Sequence, residues 1–354
     1  MENMELRFLL GKRVFITGHT GFKGAWLCSM LLESGARVIG YALDPPTCPS
    51  LFDILKLNDK IDGTFGDIRD FDALWKCFKQ AAPEYVIHMA AQPLVSVGYA
   101  QPSYTYAVNV IGTVNILECV RRSNSVKAFL NITTDKVYYS KECESGYQET
   151  DILDGFDPYS NSKSCSELVT RCYARSFVMP SVFTARAGNV IGGGDFSQDR
   201  IIPDCFRRLM AGMPISIRSP QSVRPYQHVL DCLYAYLLLL KNPEKAGHYN
   251  IGSGALTNIN TVRLVDLFCQ KWGSGTYQII QGENKYHEVT LLKLDTSRMQ
   301  SVFKWSPCWD IETVVMKTAD WYKSYAAGED VISLSHLQIR DMLYNQLKTQ
   351  TIQQ

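Results

Sequence analysis

The sequence predicts an α/β fold: a doubly wound parallel sheet with helices on both faces, followed by a smaller mixed α/β C-terminal lobe. Three observations predict it. Short β-rich runs alternate with stretches of helical period through the first part of the chain. The first strand-to-helix junction, "TGHTGFKG", carries glycines at regular spacing, and after about residue 190 the texture becomes loop-rich.

"KRVFITG" is a β-rich run that stops at Gly18, and apolar residues then recur at helical spacing from Phe22 to Glu33, where Gly35 ends the helix. "RVIGYAL" supplies a second strand, and further apolar runs stand at "EYVIHMA", "KAFLNIT" and "SVFTARA". Helix-like stretches lie at 70–80, 105–123 and 160–177. Strands that alternate with helices build a parallel sheet, with ligands at the carboxyl ends of its strands. The segments "GNVIGGGDFSQDR", "SPQSVRPYQHV" and "YNIGSGALTNI" are loop-rich, with "GGG" read as a flexible loop. The expected organisation is 1–188 for the sheet domain, completed in part by later segments, 189–330 mainly for substrate, and 331–354 as a C-terminal tail whose end, "KTQTIQQ", frays.

At 354 residues with 46% apolar content, the chain can fill a sizeable core. Thirty-six Lys plus Arg against 35 Asp plus Glu leave a net charge of +1, so no global field gathers nucleic acid or anionic lipid, and anion recognition must be local. Eleven Cys, without C-x-x-C pairs or a Cys/His cluster, read as reduced core thiols and give no metal site. The N-terminus is too mixed for a signal peptide, and the longest apolar run, around Leu237 to Leu240, is too short to span a bilayer. A soluble cytoplasmic protein is expected.

Gly18, Gly21 and Gly24 form G-x-x-G-x-x-G at the strand-to-helix junction. A pyrophosphate needs close approach of backbone, N–H groups aimed at it and a helix N-terminus, and glycines permit the first two. The plain alternative is a tight turn that binds nothing. Asp44 follows the second strand, where a carboxylate can accept from both ribose hydroxyls and repel a 2′-phosphate, which favours NAD over NADP; alternatively it starts the Pro45–Pro46 turn. Asp67 in "GDIRD" could hold the adenine edge or cap the helix beginning near Asp70.

"YSNSK" places Tyr159 and Lys163 at i and i+4, on one face of a helix that begins near Pro158. Lys163 beside the phenol would lower its pKa toward neutrality and let Tyr159 take a proton from a substrate hydroxyl. Chance is a rival: nineteen Tyr yield such a spacing about once at a lysine frequency of roughly one in seventeen. The chain holds two, and Tyr344 with Lys348, remote from any strand or glycine turn, reads as a solvated pair. Tyr159 instead follows the strand ending at Thr134 by about two dozen residues, and its helix can run back over the pocket to face Thr134.

Glycine turn, strand-end hydroxyl and Y-x-x-x-K, in this order, resemble the extended short-chain dehydrogenase/reductase superfamily, in its branch that acts on nucleotide sugars. The residues that carry the resemblance are "TGHTGFKGAWL", "YALDPPT", "HMAAQPLV", "TTDKVY", "PYSNSKSCSELV", "RAGNVIGGGDF", "SVRPYQHVLD" and "LLKLDTS". Phe196 and Tyr226 stand where such enzymes are expected to carry Trp. The resemblance implies a Rossmann-type fold and an enzyme that keeps its NAD through the cycle. The resemblance further implies that such an enzyme would convert CDP-D-glucose to CDP-4-keto-6-deoxy-D-glucose with loss of water, in deoxysugar biosynthesis of the O-antigen type. It also implies a homodimer through a four-helix bundle, here from the helices around 105–123 and 160–177. The NAD set it implies is Gly18, Thr20, Gly21, Phe22, Lys23, Gly24, Asp44, Asp67, Ile68, Ala90 and Ala91, with Tyr159 and Lys163.

Loss of water across C5 and C6 of glucose needs a ketone at C4 to acidify C5–H, a base at C5 and an acid at the C6 oxygen. Thr134, Tyr159 and Lys163 are assigned to the oxidation, Asp135 to the acid and Lys136 to the base; many related dehydratases carry Glu where Lys136 stands. Without that context, Asp135 and Lys136 read as a partly exposed ion pair. Arg224 is a candidate for the diphosphate, because a guanidinium fork matches phosphate oxygens. Asn189 and Arg200 could add contacts to the diphosphate or nucleoside, Arg218 to the base or its ribose, and Gln92 to the substrate. His19, His88 and His228 are read as structural. Two other readings remain: a nucleotide-sugar 4-epimerase, which needs no acid and base for elimination, and an NAD-sensing protein without turnover.

Overall fold

The structure, a computed structural model, describes residues 4–140, 145–252, 258–280 and 292–352. Strands β1 (Arg13–Thr17), β2 (Arg37–Ala42), β3 (Asp62–Phe65), β4 (Tyr85–His88), β5 (Ala128–Thr134), β6 (Ser181–Ala187) and β7 (Gly247–Ile251) form one parallel sheet in the order β7-β6-β5-β4-β1-β2-β3. The direction of strand addition reverses between β1 and β4, so a crevice opens beyond their carboxyl ends. This is the expected doubly wound Rossmann-type sheet, with its last strand drawn from beyond residue 190. Of the motifs quoted for the resemblance, Leu291 in "LLKLDTS" lies outside the described residues, as do 253–257 within "YNIGSGALTNI".

Helix α1 (Phe22–Glu33) starts directly at the glycine turn and ends where Gly35 takes φ 73°. α2 (Phe71–Ala81) buries Leu74 and Phe78, and its N-cap is Asp70, whose carboxylate accepts from Ala73 N. Pro102–Tyr106, a π turn at Ala107–Ile111 and Gly112–Arg121 run on as α3. α4 (Pro158–Ser176) begins with proline at its first position and Asp157 as cap, accepting from Ser160 N. α5 (Ile201–Met210), α6 (Val229–Lys241), α7 (Thr261–Trp272), α8 (Ile311–Ala326) and α9 (Val331–Ile352) follow.

α6 is buried along nearly its whole circumference, because it lies between the sheet and the later helices. One core cluster joins it to Trp26, Leu27, Phe183, Trp321 and Tyr322; a second packs Phe15, Phe78, Leu117 and Phe129 under α2 and α3 on the opposite face. Short strand pairs build the outer lobe: Val190–Ile191 with Gln227–His228, Ile215–Ile217 with Tyr277–Ile279, and Val223–Pro225 with Asn258–Asn260.

Two expectations are corrected. The stretch read as a tail is mostly helix α9, which buries Ile339, Met342 and Leu343 against the core and donates from Gln346 Nε2 to buried Asp231 at 2.9 Å. The glycines of "GGG" are a packed corner: a Cβ at Gly193 would collide with the Trp321 ring, Gly194 holds φ 83°, and Trp26 Nε1 donates to Gly193 O at 3.0 Å. No helix of the described residues is long and apolar enough to cross a membrane.

Candidate active site

The crevice is a cavity of about 1270 Å³ that runs from the glycine turn, past the end of β5, to α5 and the Ile215–Ile217 strand. At its first end Gly18 holds φ 78°, and a Cβ there would lie 2.7 Å from Ala90 N, so the ends of β1 and β4 meet through bare backbone. A Cβ at Gly24 would strike the Gly18 carbonyl oxygen. No side chain caps α1, whose N-terminus opens beside the cavity. Thr20 braces the turn by donating to Leu43 O at 2.9 Å.

Asp44 lines the same end and is exposed. Asp67, Ile68, Ala90 and Ala91 also line it. Asp67 does not cap α2; its carboxylate takes a bidentate pair from Arg69, which holds it below its ordinary pKa. Lys23 lines the same end as well. Its ammonium donates to Tyr236 Oη at 3.0 Å, and its charge reaches both Asp135 and Lys163.

β5 ends in Thr133 and Thr134, and one tight 3₁₀ turn over Asp135–Val137 aims the following side chains into the cavity. Thr134 Oγ1 donates to Asp135 Oδ1 at 3.0 Å and accepts from Lys136 N at 3.4 Å. Asp135 is 1% exposed and its Oδ2 has no hydrogen-bond partner, so burial raises its pKa against the pull of Lys136, Thr134 and Arg224. That favours the protonated carboxyl. Lys136 is half-buried and lines the cavity.

α4 brings Tyr159 and Lys163 to the same place, with the Thr134 hydroxyl in hydrogen-bond reach of the phenol. The helix at Val95–Ala100 packs closely against it: a Cβ at Gly98 would stand 3.3 Å from that of Tyr159. The expected lowering of the phenol is corrected. Burial pushes Tyr159 up to about 12, with Thr134 as the main opposing influence. Lys163 donates to Ile132 O at 3.0 Å, and burial with nearby Lys23 brings it down to about 8.

Among the residues expected for substrate, Arg224 is buried at 5% exposure, and its charge reaches Asp135; Nη1 donates to Val223 O at 3.1 Å. Asn189 lines the cavity, Arg200 pairs with Asp195 at 3.5 Å, and Arg218, largely exposed, pairs with Asp199 at 3.7 Å. Gln92 also lines it, but its amide braces the loop: Nε2 donates to Thr105 Oγ1 at 2.9 Å, and Oε1 accepts from Leu94 N at 2.6 Å. Tyr226 faces the cavity, whereas Phe196 sits in an aromatic cluster with Phe206, Trp321 and Tyr325.

His19, His88 and His228 are buried and held neutral. His19 falls to about 4 through burial, with Tyr41 backbone opposing, and fills the space that Gly40 leaves. His88 falls to about 3 through burial and Lys163, its ring between Thr17 and Thr113. His228, about 3 for burial and Lys317, caps α6.

Sequence reasoning missed the group that locks β5 to α4. Glu167, one turn beyond Lys163, accepts from Thr133 Oγ1 at 2.6 Å and pairs with Arg186 of β6 at 3.0 Å, all with negligible exposure. Arg186 also donates to Tyr138 Oη at 2.9 Å. The spacing 159, 163, 167 was the available signal, since all three lie on one helical stripe.

The sequence profile described as GDP-mannose 4,6 dehydratase matches residues 15–318. A CDP-glucose 4,6-dehydratase of Salmonella typhimurium is 42% identical over 353 residues, covering 96% of this chain and 98% of that protein. Among solved structures, dTDP-glucose 4,6-dehydratase from Bacillus anthracis in complex with NAD superposes with a TM-score of 0.77 at 22% identity, covering 90% of this chain and 99% of that one. A UDP-glucose 4-epimerase of Thermus thermophilus with NAD gives 0.79 at 23%, covering 88% and 99%. Both structures speak to the fold alone.

Proposed function

The chain belongs to the GDP-mannose 4,6 dehydratase family, and from that premise we propose that it converts CDP-D-glucose to CDP-4-keto-6-deoxy-D-glucose and water. The cavity's first end suits NAD: a cradle that a Cβ at Gly18 or Gly24 would fill, an uncapped helix N-terminus and an exposed carboxylate just beyond β2. Gly18, Gly21 and Gly24 would hold its pyrophosphate and Asp44 its adenosine ribose, with Thr20, Phe22, Lys23, Asp67, Ile68, Ala90 and Ala91 around them. NAD held by these residues would supply the hydride acceptor for C4 of the sugar and the hydride donor for C6.

Tyr159, in its ionised form, takes the C4 hydroxyl proton while Thr134 holds that oxygen in place, and at the end of the cycle that proton goes back to Asp135, which Thr134 joins to the phenol. Lys163, which reaches the Ile132 carbonyl, keeps positive charge under the phenol. With C4 a ketone, Lys136 removes the C5 proton as Asp135 gives its own to the departing C6 oxygen. The base then returns a proton to C5. Arg224, with Asn189, Arg200 and Arg218, holds the diphosphate and nucleoside.

The observation that carries this reading is Asp135, a buried carboxyl one residue from Thr134 whose pKa burial raises and which faces the same cavity as Tyr159. Epimerisation has no use for such an acid. Substrate deuterated at C4 tests it: label on C6 of a 4-keto-6-deoxy product is expected, and label retained on C4 of an epimerised sugar would defeat the proposal.

The proposal extends to a cytosolic homodimer. Ile111 on α3 and Leu168 on α4 are about half exposed on the outer faces of these neighbouring helices, and two copies would bury them as a four-helix bundle. Sedimentation of Leu168→Glu against the parent protein reads this directly.

A further inference from the structure

The reading of the cavity as a nucleotide-sugar site leaves open what recognises the base, and this inference rests on that reading. Asp135 and Tyr159 mark the sugar end, and Arg224 stands beside Asp135. A diphosphate held by the arginines puts the base beyond them, on the wall that α5 and the Ile215–Ile217 strand build. That wall is apolar at Ile202, Pro203 and Ile280, the last 40% exposed, and suits a flat ring. Within α5 and the Ile215–Ile217 strand, the polar side chains that line the cavity are Asp204 and Ser216.

Each is held by an arginine of α5. Arg207 pairs with Asp204 Oδ1 and is itself fixed by donating to Phe196 O at 3.1 Å and Ser197 O at 3.0 Å. Among the described residues that pairing is made through Oδ1, which leaves Oδ2 of Asp204 to accept from a ligand. Arg208 donates to Ser216 Oγ at 3.1 Å, so the serine hydroxyl retains its hydrogen to give. The wall therefore offers a fixed acceptor and a donor.

Pyrimidines differ at that edge. Cytosine offers an amino donor at N4 and a bare acceptor at N3, whereas uracil and thymine offer a carbonyl acceptor at O4 and an N–H at N3. An ionised carboxylate only accepts, so it takes N4–H of cytosine and sets lone pair against lone pair at O4 of the others. We propose that Asp204 and Ser216 are the residues that select a cytidine diphosphate sugar over uridine and thymidine counterparts, Asp204 through N4 and Ser216 through N3.

The test compares Asp204→Asn and Ser216→Ala with the parent enzyme, using CDP-glucose and UDP-glucose for kcat/KM and free CDP and UDP for binding by competition. An asparagine can turn its amide donor toward O4. The CDP/UDP preference in both readouts is expected to fall by about tenfold or more for Asp204→Asn, and by less for Ser216→Ala. A purely structural role for Asp204 would weaken both nucleotides alike and leave the ratio unchanged, which overturns the proposal. A parent enzyme that binds CDP and UDP equally also overturns it, while leaving the dehydratase reading intact. A parent enzyme that turns over neither sugar defeats the dehydratase reading itself, and the inference falls with it.

Discussion

The Thr134 hydroxyl donates to Oδ1 of Asp135 across 3.0 Å, so the group proposed at C4 of the sugar and the acid proposed at C6 are joined by one hydrogen bond. The bond leaves Oδ2 of Asp135 without a partner at 1% exposure, and burial raises the carboxyl's pKa. Asp135→Asn and Lys136→Ala are expected to keep C4 oxidation and lose elimination. A positioned acid or base is commonly worth a factor of about 10² to 10⁴. Rapid mixing with CDP-glucose should then show reduced cofactor accumulating at a near-parent rate while the 4-keto-6-deoxy product falls by that factor.

The same carboxyl makes stability depend on pH. Its folded pKa lies above the unfolded value, so the native state binds more protons, and stability is greatest below the unfolded value of about 3.9 and declines as pH rises through the folded pKa. Asp135→Asn removes that decline. Denaturant midpoints compared between a pH at or below about 3.9 and neutral pH should converge with the parent at the acid end and favour the variant at the neutral end.

Glu167 and Arg186 are both without measurable exposure, and their pair is closed by Thr133, Thr184 and Tyr138. Glu167→Ala leaves a buried guanidinium uncompensated and is expected to destabilise by about 3–5 kcal/mol. Thr133→Val removes one bond of the group and is expected to lose about 1 kcal/mol. Thermal unfolding of both variants ranks them, and equal losses would show that the charge pair is not what matters.

What could be read in the sequence was what is local along the chain. Tyr159 and Lys163 share a face because a helix puts i and i+4 together, and the glycine turn announces itself within seven residues. What escaped depends on segments that only the fold joins. Lys23 meets Tyr236 across 213 positions, and Glu167 meets Arg186 only because β6 lies beside β5. The titration of Tyr159 was misjudged for the same reason: helical spacing supplies the lysine, but burial, a tertiary property, dominates the phenol. Helix α9 reads as a tail in sequence because its end is rich in glutamine, yet Ile339, Met342 and Leu343 find the core.

Gly18 and Asp44 separate fit from affinity at the proposed NAD site. Gly18→Ala places a methyl group against the Ala90 backbone at φ 78°, so about 1–3 kcal/mol of stability should go together with cofactor binding. Asp44 is exposed, and Asp44→Asn should leave unfolding unchanged. Its loss removes both the ribose acceptor and the repulsion of a 2′-phosphate, so NAD should bind about tenfold more weakly while NADP gains relative to it. Titrations with both dinucleotides decide the matter.

Lys163 gives the sharpest pH prediction. Burial, helped by Lys23, lowers its folded pKa to about 8, below an unfolded value near 10.4. The native state therefore binds fewer protons between these values, and stability rises with pH through that window. The shift corresponds to about 3 kcal/mol of penalty, present in full below pH 8 and relieved as pH approaches 10.4. Lys163→Met should unfold later than the parent at pH 7, by somewhat less than that penalty because Ile132 O loses its donor, and the advantage should vanish toward pH 10. The same variant should lose oxidation at C4, so that the residue's cost to the fold and its use in the site are read from one protein. Melting curves taken from pH 7 to 10 check the first half and single-turnover assays the second; a parent enzyme whose stability is flat across that window would show that Lys163 is not desolvated as its surroundings require.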